Sequence, residues 1–184
     1  MAFLDKIKQD TQIYFGSRKK LKAHRPGIVK DLTNPQNLAL FFHINTKDEL
    51  DQVRQLLRQV KGKYRSIDVF VFSPTYETLD VITNKSILLF NLNDFNLFGK
   101  MKAPLQERFD SERYELFISF AFDADPFTRN LISQINADFK IGPDQLDGQL
   151  LYDMTLKHFE NKGGFVDFYD QLSHYLNVLN IKSS

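Results

Sequence analysis

Tyr114-Glu115-Leu116-Phe117-Ile118-Ser119-Phe120-Ala121-Phe122 runs straight into Asp123-Ala124-Asp125-Pro126. From Leu116 to Phe122 only Ser119 is polar, and polar and apolar positions do not alternate. A strand with one wet face alternates. A strand covered on both faces does not, and such strands lie at the centre of parallel sheets. Asp125 is of the type that caps a helix through its side-chain oxygen, and Pro126 suits the first helical position, where its missing N–H would be unpaired anyway. The stretch predicts a central strand, a tight acidic turn and a helix, with Phe117, Ile118 and Phe120 almost fully buried.

Upstream, Leu38-Ala39-Leu40-Phe41-Phe42-His43-Ile44 repeats the pattern as the first strand in chain order, with Leu40 and Phe42 in the core. Thr46-Lys47-Asp48-Glu49 has the form of a capping box, in which two side chains satisfy each other's free backbone donors. Leu50, Val53, Leu57 and Val60 then recur at helical spacing, and Ile67 to Phe72 is a second strand closed by Ser73-Pro74. This is a βαβ crossover, a connection that is almost always right-handed. Residues 74–85 are ambiguous and leave room for a short helical turn. Ile87–Phe90 is a third strand, followed by an Asn-rich loop with exposed aromatics over 91–99, and by a helix from Pro104 to about Glu112.

Downstream of the central strand, Phe127, Leu131 and Ile135 mark a helix. Phe139-Lys140-Ile141 is a brief fifth strand stopped by Gly142-Pro143, and residues 143–149 form a polar loop. Leu151 to Leu156 alternates as an edge strand would. After Gly163-Gly164, a last helical stripe comprises Phe165, Phe168, Tyr169, Leu172, Tyr175, Leu176 and Leu179. The alternation of strands and helices predicts an α/β three-layer sandwich with a mostly parallel, Rossmann-like sheet of order 3-2-1-4-5-6. Its sixth strand is expected antiparallel to the fifth, because the link between them is too short for a helical crossover.

The 184 residues suit one α/β domain over 31–184 preceded by a basic helical arm over 1–30. Apolar residues make up 42% and charged residues 26%, an ordinary globular balance. The absence of Cys excludes disulfides, thiolate metal sites and a Cys nucleophile. No apolar run approaches the roughly 20 residues of a membrane span, and no secretory h-region opens the chain, so a cytoplasmic setting is expected. Residues 1–30 hold eight Lys/Arg against Asp5 and Asp10, a balance of +6 that leaves −5 on the rest of a chain of net charge +1. Arg18, Lys19, Lys20, Lys22 and Arg25 form the candidate polyanion surface, for nucleic acid, anionic lipid or an acidic partner. The same cluster also reads as a solvated helix end with cations at its negative pole.

Ligands of open α/β sheets bind beyond the carboxyl ends of the strands, where the strand order reverses. The expected lining is Asn45 and Thr46, Ser73, Asn91, and Asp123 with Asp125. Two carboxylates there could hold a cation such as Mg²⁺, and Asp-x-Asp after a strand resembles metal-dependent glycosyltransferases over those three residues. Equally, Asp125 is a cap and Asp123 a turn residue. The turn after the first strand, His43-Ile44-Asn45-Thr46-Lys47, has neither glycine-rich phosphate motif, and no nucleophile elbow occurs. His24, His43, His158 and His174 lack metal-ligand spacing, and His43 and His174 read as packed or surface residues. No metal site and no cofactor is expected.

The apolar strand into Phe122-Asp123, then Phe139-Lys140-Ile141-Gly142, Tyr152-Asp153-Met154 and Phe165 to Leu176, with the basic segment ahead of the first strand, resemble a small uncharacterised family of bacterial α/β proteins. The resemblance implies the fold and a bacterial cytoplasm, and no activity. The expected function is a non-catalytic binding or interaction module. The alternatives are a metal-dependent transferase or hydrolase using Asp123 and Asp125, and a nucleic-acid-associated protein using the arm.

Overall fold

The computed structural model of the protein describes residues 32–74, 87–123, 125–144, 151–157 and 164–181, with side chains to Val178. The basic arm with Arg18, Lys19, Lys20, Lys22 and Arg25 lies outside the described residues, as do most of 74–85 and 143–149. Six strands, β1 (Asn37–His43), β2 (Ser66–Phe72), β3 (Ile87–Phe90), β4 (Tyr114–Phe120), β5 (Ala137–Pro143) and β6 (Met154–Leu156), form one sheet of order β3-β2-β1-β4-β5-β6. Every neighbouring pair is parallel. Leu38 sits between Ile67 of β2 and Leu116 of β4, so the two alternation-free stretches are side by side at the centre. Leu40, Phe42, Phe117, Ile118 and Phe120 are all buried, as expected for strands covered on both faces.

Among the described residues four helices supply the cover. On one face α1 (Lys47–Val60) and α4 (Phe165–Ile181) pack Leu50, Val53, Leu56, Phe168 and Leu172 against Leu40, Phe42, Ile118 and Phe120. On the other, α2 (Ala103–Asp110) and α3 (Pro126–Gln134) pack Phe109, Phe127 and Leu131 against Phe41, Phe70 and Phe117. The capping box forms as its sequence dictates: Thr46 Oγ1 accepts the Glu49 N–H at 3.2 Å, and Glu49 Oε2 accepts the Thr46 N–H at 2.9 Å. At the amino end of β4, Tyr114 donates to Asp68 at 2.8 Å and Arg108 donates to the same carboxylate at 2.8 Å, tying β4, β2 and α2 together.

The sixth strand corrects the antiparallel expectation: Ile141 pairs with Met154 and Pro143 with Leu156 in a parallel ladder. The expectation assumed that a crossover needs a helix. β6 is only three residues long, so the segment from Asp144 to Asp153 has little strand to retrace, and at about 3.3 Å per residue it is long enough to span the return. Leu151 and Tyr152 precede the strand and pack into the α2–α3 side of the core. A Cβ at Gly142 would overlap the Tyr152 ring, so only glycine admits that ring against β5. The fifth strand also runs through Pro143 instead of stopping at Gly142. Its pairing with β4 ends at Ile141, so the missing proline N–H forfeits no bond there, and Asp144 N–H continues the β6 ladder to the Leu156 carbonyl at 2.8 Å. Tyr175, placed on the buried stripe by its spacing, is half exposed.

Candidate functional site at the carboxyl ends of the strands

β1 and β4 are neighbours whose outgoing loops diverge. Ile44 to Thr46 leads to α1 on one face, and Ala121 to Asp125 leads to α3 on the other. This divergence is the topological switch point, and Asn45, Thr46, Asp123 and Asp125 lie on the two loops that leave it. Ser73 follows β2, and strand alternation groups it with Val69 and Val71 on the α1–α4 side. Asn91 follows β3, two strands from β1.

The polar groups here are largely engaged by backbone. Glu49 Oε2 accepts the Asn45 N–H at 2.6 Å as well as the Thr46 N–H. Asp125 Oδ1 accepts the Thr128 N–H at 2.6 Å, with Pro126 in the first turn, which is the cap its sequence context implies. Asn91 Oδ1 accepts the Asn93 N–H at 2.7 Å and caps a short turn of 3-10 helix, Leu92–Asp94, whose Asp94 reciprocates to the Asn91 N–H at 2.9 Å. Asp123 is exposed. Ser73 is buried, and its hydroxyl finds no partner among the described residues.

One residue at this end of the sheet escapes sequence reasoning. His43, read from its apolar surroundings as a packed strand residue, is the last residue of β1 and stands at the switch point itself. Its Nδ1 lies 3.4 Å from the Oγ1 of the buried Thr128, and its ring lies 5.4 Å from that of Phe72. Its Nε2 is buried without a hydrogen-bond partner among the described residues. Burial lowers its pKa below the ordinary histidine value, against the opposing pull of Asp125, Glu49 and Asp123 in that order. The imidazole is therefore neutral at pH 7, with one nitrogen facing a hydroxyl. Its register as the final residue of a central strand was the available signal, since that position defines the ligand end of such sheets. The Thr128 contact joins residues 85 apart in sequence and left no local trace.

Among the described residues no group of three or more His, Asp or Glu could hold a metal ion, and no helix is long and apolar enough to cross a membrane. The geometry of Asp125 sets an expected result. Asp125→Asn leaves the unfolding midpoint nearly unchanged, because asparagine accepts the same N–H bond, while Asp125→Ala loses on the order of 1 kcal/mol in urea unfolding.

A model of a family of unknown function, DUF6913, matches residues 13–179. Comparison with curated proteins and with solved structures finds no match.

Proposed function

The chain belongs to the family of unknown function DUF6913, and within it we propose a non-catalytic interaction module. The observation that carries this is the use of the switch-point side chains: Thr46, Glu49 and Asp125 serve as helix caps. A catalytic carboxylate pair would need both groups free to meet a substrate or cation, and Asp125 instead holds the first turn of α3. The aromatic rings of Phe72 and Phe127, packed 5.5 Å apart in the α2–α3 core, support the same view. We propose a bacterial cytoplasm as its setting, the expectation drawn from the sequence.

The test is a thermal melt with and without millimolar Mg²⁺ or Mn²⁺. A ligand bound only by the folded state raises the melting temperature, so a metal-dependent enzyme would respond. No shift is expected. A clear rise in the wild type that disappears in both Asp123→Asn and Asp125→Asn would overturn the non-catalytic reading in favour of a metal-dependent transferase or hydrolase.

A further inference from the structure

The loop after the 3-10 turn is a braced hairpin. Phe95 and Met101 face each other across an antiparallel bridge, and both are buried in the α2–α3 core. At the tip, Asn96 organises the backbone: its Oδ1 accepts the N–H of Phe98 at 2.9 Å and of Lys100 at 3.1 Å. Its carbonyl accepts the Gly99 N–H, and its own N–H reaches the Lys100 carbonyl, each at 2.9 Å. Gly99 has φ +67°, a conformation that favours glycine. This frame holds Leu97 and Phe98 outward, 57% and 64% exposed. The other exposed side chains between residues 93 and 102 are Asn93, Asn96, Lys100 and Lys102. The one acid in that span, Asp94, is turned back to the Asn91 N–H.

We infer that this hairpin is a membrane-contact tip, with Leu97 and Phe98 entering the headgroup–acyl boundary of an anionic bilayer and Lys100 and Lys102 meeting its phosphates. The charge around the tip favours lipid over a protein pocket: the exposed residues from 93 to 102 carry cations and amides without an acid, which suits a continuous anionic surface. The tip is preorganised, so little ordering opposes its insertion. This gives the interaction module a partner class. Its failure leaves that module reading to stand or fall on the metal melt.

The experiment is sedimentation of the full chain with vesicles of phosphatidylcholine containing about three parts in ten phosphatidylserine, against phosphatidylcholine alone. The wild type is expected to bind the anionic vesicles. The Leu97→Ser/Phe98→Ser double variant should bind them at least about tenfold more weakly, through loss of the apolar anchor. Lys100→Ala and Lys102→Ala should each weaken binding about fivefold at low salt. Since the chain has no Trp, Phe98→Trp adds a single reporter whose emission shifts to the blue when the tip inserts. No binding by the wild type, or equal binding to both vesicle types, overturns the inference. So does unchanged binding by the double variant, or an unshifted emission from the Phe98→Trp variant, since the 18–25 cluster would then account for the attraction. Self-association abolished by the double variant, without vesicle binding, assigns the tip to a second copy and overturns it too.

Discussion

Truncation of Phe120 to alanine is expected to destabilise the protein by roughly 3–5 kcal/mol, the largest effect of any single side chain considered. Phe120 is fully buried near the carboxyl end of β4. Its ring stacks on Phe42 of β1 at 4.6 Å between centroids and 9° between planes, and meets Phe165 and Phe168 of α4 edge-on at 5.9 and 5.7 Å. One ring thus joins the two central strands to the last helix. The hole left by alanine is walled by strands that are hydrogen-bonded on both sides, so it cannot readily collapse. Guanidinium unfolding of the two proteins measures the difference. A near-unchanged midpoint would show that the aromatic stack contributes little.

The second large effect depends on pH. Lys140 of β5 is 5% exposed, donates from Nζ to the Ile132 carbonyl at 3.0 Å near the end of α3, and lies 5.7 Å from the Phe117 ring centre. Burial depresses its pKa from 10.5 to about 8, with Asp153 opposing. Below pH 8 the lysine is protonated folded and unfolded, and the full penalty of a buried ammonium is present. Between about 8 and 10.5 the unfolded chain binds the extra proton, so this residue's contribution to stability rises with pH. The gain is about 3 kcal/mol across the window. Tyr64, Tyr114 and Tyr152 have raised pKa values and act in the opposite direction at high pH, because the unfolded chain loses their protons first. Comparison with Lys140→Met cancels them. The variant should equal or exceed the wild type at pH 7, since an apolar side chain replaces a buried charge. The wild type should then gain on it as the pH is raised, as urea unfolding at a series of pH values would show. Parallel pH curves would mean that Lys140 keeps its ordinary pKa in the fold.

How legible the molecule was in its sequence depended on whether the determining physics is local. Runs such as Leu38 to Ile44 and Leu116 to Phe122 lack alternation because both faces are covered, and their reading led to the correct strand order. Thr46 with Glu49, and Asp125 with Pro126, declare helix starts because the bonds concerned reach only three residues. The orientation of β6 was misjudged because the length of a link does not reveal how short the strand beyond it is. Lys140 reads as an ordinary polar interruption in a strand, and only the packing of α3 over it makes it buried and perturbed. The stretch 91–99 looked like a loop with exposed aromatics. Its division into buried Phe95 and exposed Phe98 comes from anchoring by Met101, which faces Phe95 across the bridge. At the candidate site, Asp125 was legible as a cap, whereas His43 needed the sheet register to be seen as the end of a central strand.

The all-parallel pairing has a kinetic consequence. β1 can zip to β2 as soon as one βαβ unit is made, but its other edge waits for β4, which follows only after β3 and α2. Such long-range closure makes folding slow, because the intervening chain must be gathered before its contacts reward it. On the ribosome, Ala39-Leu40-Phe41-Phe42 therefore spends the synthesis of about 70 further residues, some seconds at ordinary elongation rates, as an apolar strand with at least one unpaired edge. That interval, rather than any weakness of the finished sheet, is when this chain is most exposed to aggregation, and synthesis of β4 ends it.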